Sequence, residues 1–132
     1  MHTLLSILLF FTLSHSPTES YLDISDEVAS AIKTGNATNV AKFFPANVDL
    51  KILNKEDVYS KAQAELILKD FFAKNPIKAF TVIHKGTSKN GDQFAIGTYE
   101  TTTGKKFRTY CLFKKEKTGL TIQQLRFETQ DE

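Results

Sequence analysis

Residues Ile77–Glu128 read IKAFTVIHKGTSKNGDQFAIGTYETTTGKKFRTYCLFKKEKTGLTIQQLRFE. β-branched and aromatic side chains are frequent there, partly alternating with polar ones, and the clusters Lys89-Asn90-Gly91, Thr103-Gly104 and Lys117-Thr118-Gly119 divide the stretch. That pattern predicts four strands, about 77–87, 92–102, 105–115 and 120–128, joined by hairpins. Three-residue loops at the first and third turns pair Ser88 with Asp92 and Glu116 with Leu120. The tighter middle turn pairs Thr102 with Lys105. Propagated along the strands, this register puts Phe80, Val82, His84, Phe94, Ile96, Thr98, Glu100, Phe107, Thr109, Cys111, Phe113, Gln123, Leu125 and Phe127 on one face. The other face collects Ile83, Lys85, Ala95, Tyr99, Arg108, Tyr110, Leu112, Gln124, Arg126 and Glu128, with Arg108 opposed to Glu128.

Upstream of the strands the period changes. Ser60 and Gln63 form a capping box for a helix whose apolar face is Ala64, Ile67, Leu68, Phe71 and Phe72, and Asn75-Pro76 closes it. Asn47–Leu53 alternates Val48, Leu50 and Ile52 against Asp49 and Lys51, the signature of one strand. Before it stand two helices. Ile24, Val28, Ala31 and Ile32 share one helical face that stops at Gly35, and a shorter segment capped by Asn36 ends at Pro45. The order ααβαββββ is an α+β domain with helices packed on one curved antiparallel sheet.

The N-terminus is a separate object. Leu4–Leu13 is apolar, too short to span a bilayer, and gives way to the polar Ser14–Ser20. This is the pattern of a secretory signal peptide cleaved before Tyr21, although no Lys or Arg precedes the apolar run. The expected mature unit is one domain, 21–132, soluble and exported to the periplasm or beyond. Its 17 basic against 14 acidic residues are too nearly balanced to announce a nucleic-acid partner. Cys111 is the single cysteine, which excludes a disulfide scaffold and a Cys-rich zinc site. His2, His15 and His84 are too scattered for a His-rich metal cluster, so no metal and no cofactor are expected. No Walker loop or Gly-rich dinucleotide turn occurs. The short basic clusters Lys105-Lys106 and Lys114-Lys115 read as solvated strand ends.

The helix–strand order resembles the nuclear transport factor 2-like cone of the cystatin-like superfamily. More closely, the chain resembles a family of small exported bacterial proteins described as a domain of unknown function. The likeness is carried by the segment from Asp26-Glu27 to Gly35-Asn36 and by Val58–Glu65, Leu68–Phe72, Asn75-Pro76, Ile83–Gly86, Ala95–Thr98 and Gln123–Arg126. The resemblance implies a half-open cone enclosing a pocket, often in a dimer packed through the outer sheet face. It carries over no activity and no catalytic residues.

The residues then offer two candidate sites. Phe72, Phe80, His84, Thr98, Glu100, Thr109 and Gln123 would line a pocket for a small apolar ligand. Tyr99, Arg108, Tyr110, Leu112 and Arg126 would form the dimer face, combining the aromatic and Arg side chains that interfaces concentrate. An isomerase- or dehydratase-like enzyme is the alternative, with His84 as its acid–base group. Such chemistry needs a base and an oxyanion donor within hydrogen-bond reach. His84 opposes Ile96, and Glu100 lies about 13 Å further along that strand, so the two form no tight dyad. Gln93–Gly97 approaches the Gln-x-Val-x-Gly hairpin of cystatin inhibitors but has Ala95 for Val and sits inside a strand. The reading therefore favours a non-catalytic binding or assembly module.

Overall fold

Asn36, Ser60 and Asn75 set the helix boundaries in a computed structural model that describes residues 24–117 and 119–130. The first helix, α1 (Ile24–Lys33), ends where Gly35 turns to φ 64°. The second, α2 (Ala37–Ala41), starts from Asn36, whose Oδ1 accepts from the Thr38 N–H at 2.9 Å. The third, α3 (Lys61–Lys74), starts at the expected capping box: the Gln63 N–H donates to Ser60 Oγ, and the Ser60 N–H donates to Gln63 Oε1. Ala64, Leu68, Phe71 and Phe72 form its buried face. The expected signal segment, 1–20, lies outside the described residues.

Six strands form one sheet: β1 (Asn47–Ile52), β2 (Lys55–Ser60), β3 (Ile77–Thr87), β4 (Gln93–Thr101), β5 (Lys106–Glu116) and β6 (Gly119–Thr129). Their order is β2-β1-β6-β5-β4-β3, antiparallel except where β1 runs parallel to β6. The sequence reading missed β2, and the order is ααββαββββ. Strand β2 is short, largely exposed and charged at Lys55, Glu56 and Asp57. Those are the properties of an edge strand protected against further pairing, and they hide it from a search for alternating apolar residues.

The expected register needs correction in three places, the last hairpin included, where Glu116 pairs with Gly119 and not with Leu120; the first correction reverses a whole strand. The β4–β5 turn closes with Thr101 opposite Lys105: the Thr101 N–H donates to the Lys105 carbonyl at 2.8 Å, and Gly104 sits at φ 88°. The loop is one residue longer than the tight turn expected, so Ala95 faces Cys111, Gly97 faces Thr109 and Tyr99 faces Phe107. Because side chains alternate, this slip turns Phe94, Ile96, Thr98 and Glu100 away from the helices and brings Ala95, Gly97, Tyr99 and Thr101 beneath them. In β3 the register shifts between Val82 and His84. Phe80 and Val82 thus stay on the helix side, whereas His84 pairs with Ile96 as expected but on the outer face. A second shift between Leu112 and Phe113 leaves Gln123 unpaired in β6. The Ile122 N–H donates instead to the Phe43 carbonyl at 2.8 Å. Arg108 opposes Glu128 as the sequence predicts.

The core lies between the sheet and the helices, with α1 against β3 and α3 against β1 and β2. Phe71 is its hub, with ring centroids of Phe127, Phe107 and Tyr99 at 4.6, 5.4 and 5.5 Å. No helix among the described residues is long and apolar enough to cross a membrane.

Candidate functional site

The seven expected pocket residues do not converge. Phe72 and Phe80 are each 6% exposed and belong to the packed core. Phe72 stacks on Tyr99 with centroids 6.0 Å apart. Thr109 is buried on the same side, its Oγ1 without a hydrogen-bond partner among the described residues. His84, Thr98 and Glu100 are on the outer face, where the His84 ring is exposed and lies 5.5 Å from that of Phe94. Glu100 faces Lys78 across 3.9 Å. Gln123 occupies the β6 irregularity. The centre of the domain is therefore occupied by aromatic rings, and none of the seven lines either of the two surface depressions described below.

Of the five residues expected at a dimer face, four lie on the outer side of the sheet. Arg108, Tyr110, Leu112 and Arg126 are on the outer face. Tyr99 is the correction: it is fully buried, and its hydroxyl donates to the Asn75 carbonyl at 2.5 Å, fastening β4 to the end of α3. Burial pushes its phenol up to about 12. Phe94 and Ile96 take its place on the outer face. Phe94 lies directly opposite Leu112, and Ile96 opposite Tyr110. The Phe94 and Tyr110 rings are nearly parallel with centroids 6.4 Å apart. Sequence reasoning missed these two because a large apolar residue in a strand is more often a core residue than a surface one.

Beside this apolar square the outer face is charged, and the charges where β1, β2 and β6 meet are paired within the chain. Lys51 Nζ lies 3.0 Å from Glu128 Oε1, and Arg126 lies 2.7 Å from Glu56 and 3.9 Å from Asp49. The hydrogen bond from Lys51 holds the Glu128 carboxyl below its usual range. Burial, reinforced by the neighbouring Glu56 charge, raises Asp49 against the opposing pull of Arg126.

At one end of the domain, the β1–β2 turn, the β4–β5 turn, the end of α3 and the end of β6 come together. A cleft of about 690 Å³ opens there between α3 and the β1–β2 hairpin, walled by Leu50, Ile52, Tyr59, Ile67 and Phe71. A second depression of about 520 Å³ adjoins it across Leu53 and Asn75 and is bordered by Lys105 and Lys106. Neither strand alternation nor helical period marks this cleft, because it is assembled from the ends of elements far apart in the chain. One local signal existed: Leu66, on the polar side of α3, is 66% exposed.

Comparison with known proteins places these features. Residues 25–128 match the family described as domain of unknown function DUF4783. A DUF4783 family protein from Bacteroides uniformis ATCC 8492 is similar at 32% identity and TM-score 0.75, covering 83% of this chain and 100% of its own. A domain of unknown function with a cystatin-like fold from Nostoc punctiforme PCC 73102 aligns at 12% identity and TM-score 0.63, over 82% of this chain and 74% of its own. A putative calcium/calmodulin-dependent protein kinase II association domain from Xanthomonas campestris aligns at 17% identity and TM-score 0.60, over 83% and 84%. With the NTF2-like chains that also align, these neighbours establish the expected nuclear transport factor 2-like, cystatin-like α+β fold. No curated protein matches the chain.

Proposed function

We propose that this chain, which belongs to the DUF4783 family, is an exported non-catalytic module that pairs with a second copy of itself through the outer sheet face. The observation that carries this is the square Phe94–Leu112 and Ile96–Tyr110, half-exposed on the face that the helices leave open. Contiguous apolar groups at that position lose water contact only when something covers them, and burial contributes about 25 cal/mol per Å² of apolar area. A square of two opposed pairs can meet its own copy across a two-fold axis, the symmetry most homodimers use. Two of the neighbouring charge pairs, Lys51–Glu128 and Arg126–Glu56, are satisfied within one chain, which leaves Arg108 as the charge of this face that an approaching copy would have to accommodate. The Xanthomonas campestris neighbour of the same fold is itself described as an association domain. Export rests on the Leu4–Leu13 run and the polar stretch that follows it.

The acid–base alternative lacks comparable support. A working His needs a polar partner or substrate pocket in reach, and His84 stands beside Ile96 and the Phe94 ring. Sedimentation velocity on the purified chain across a concentration series tests the assembly reading. The expected result is a dimer that Tyr110→Glu converts to a monomer with an unchanged far-ultraviolet circular dichroism spectrum. A wild-type monomer at every concentration, or a dimer that survives Tyr110→Glu, would remove the proposed interface.

A further inference from the structure

We propose that the cleft between α3 and the β1–β2 hairpin binds a single-chain amphipathic carboxylate, its hydrocarbon tail in the cleft and its carboxylate at the lysines around the mouth. The volume of about 690 Å³ lies within the range of about 300–1,000 Å³ usual for small-molecule sites. Its walls are aliphatic and aromatic, and two of the large apolar residues that the domain exposes, Leu53 and Leu66, are in its lining. The charges in the lining that lack an ion pair among the described residues have one sign. Lys55 borders the cleft, and Lys105 and Lys106 border the depression beyond Leu53. None of the three forms an ion pair among the described residues. The carboxylate in the lining, Asp70, is bound to Lys74 at 2.9 Å. An apolar trough with uncompensated ammonium groups at its mouth is complementary to a tail with an anionic head, and it disfavours a cationic head of the same length.

Leu53 supplies an independent observation. It is the single non-glycine residue among the described residues with positive φ, 56°, and its N–H donates to the Phe127 carbonyl at 2.8 Å. The left-handed region costs an ordinary side chain about 1–2 kcal/mol, and Gly or Asn would relieve it. The adjacent Asn54 would suit that conformation better, yet the chain places leucine there, where the two depressions meet. A strained, partly exposed leucine at that junction is accounted for if its side chain contacts a ligand tail.

Isothermal titration of the full chain with dodecanoate, dodecanol and dodecyltrimethylammonium, below their micellar concentrations, tests this. Dodecanoate is expected to bind and the cationic amphiphile to bind at least about tenfold more weakly. Replacing Lys55, Lys105 and Lys106 together by Gln should weaken dodecanoate about tenfold or more while leaving the melting temperature near wild type. Leu53→Gly should weaken dodecanoate without lowering the melting temperature, separating a ligand contact from a structural one. No binding of dodecanoate would overturn the proposal, as would equal affinity for all three amphiphiles or unchanged affinity in the triple variant. The site does not depend on self-association: a monomeric Tyr110→Glu chain should bind dodecanoate as wild type does, so either proposal can fail alone.

Discussion

A Cβ built on Gly97 would stand 2.6 Å from Cζ of Phe80 and 3.0 Å from the Thr81 carbonyl oxygen. Gly97 is small because Phe80 passes over it, so at this point of the covered face of β4 a small residue lies beneath a large one from β3. Gly97→Ala must displace a buried ring or the β3 backbone, and overpacking of that kind costs about 1–3 kcal/mol. Urea unfolding should show a lower midpoint for Gly97→Ala at unchanged slope, and an unchanged midpoint would contradict the packing. The same alternation explains the reversed face. Phe94 and Ile96 look like core residues by size, whereas Ala95 and Gly97 do not, yet volume complementarity with Phe80 decides the matter and cannot be read from one strand alone. Gly86 plays the corresponding part outside, since a Cβ there would lie 2.5 Å from Cζ of Phe94. Cys111 was legible as a core residue from its place in the alternation, and burial pushes its thiol up to about 12.

Among the elements, the helices and the last four strands were legible because each carries a local signal. Ser60 with Gln63, Asn36 before α2, and Asn75-Pro76 after α3 act within a few residues of where they stand. Strand β2 carries no such signal, since its place is fixed by its ladder with β1, from Asn47 opposite Ser60 to Ile52 opposite Lys55. Across the β1–β6 junction, the Lys51–Glu128 pair makes a pH-dependent contribution. Glu128 is held below its usual range in the folded chain. Its stabilisation is therefore complete above the unfolded carboxylate value, about 4.3, and is lost as pH falls through the lower folded value. Asp49 has the opposite sign: burial raises it, so protonation at acid pH favours the folded form. Glu128→Gln should cost at most about 1 kcal/mol at neutral pH, as expected for a partly exposed pair. That difference from wild type should disappear on acidification. A difference that grew as pH fell would contradict the assignment.

At the scale of the whole molecule, one sheet separates two environments. The helix-covered side is filled by Phe71, Phe72, Tyr99, Phe107 and Phe127, and the other side presents Phe94, Ile96, Tyr110 and Leu112. Fold class and the order of every described element except β2 could be read from the chain, because they follow from periodicity and hairpin positions. The candidate pocket could not, because one residue of turn length reversed β4 and moved Thr98 and Glu100 away from Thr109, while the register shift in β3 turned His84 outward. The mouth cleft was hidden for a different reason, being built where two turns and the ends of α3 and β6 meet. The assignment of faces in β4 underlies the assembly proposal, and adjacent residues test it. Thermal melts of Ala95→Asp and Ile96→Asp should differ sharply. Ala95 is 7% exposed and faces buried Cys111, so a carboxylate there should prevent folding or lower the melting temperature by more than about 10 °C. Ile96→Asp should fold, melt within about 5 °C of the Tyr110→Glu monomer, and fail to dimerise. A stable Ala95→Asp beside an unfolded Ile96→Asp would reverse β4 and withdraw the outer-face interface with it.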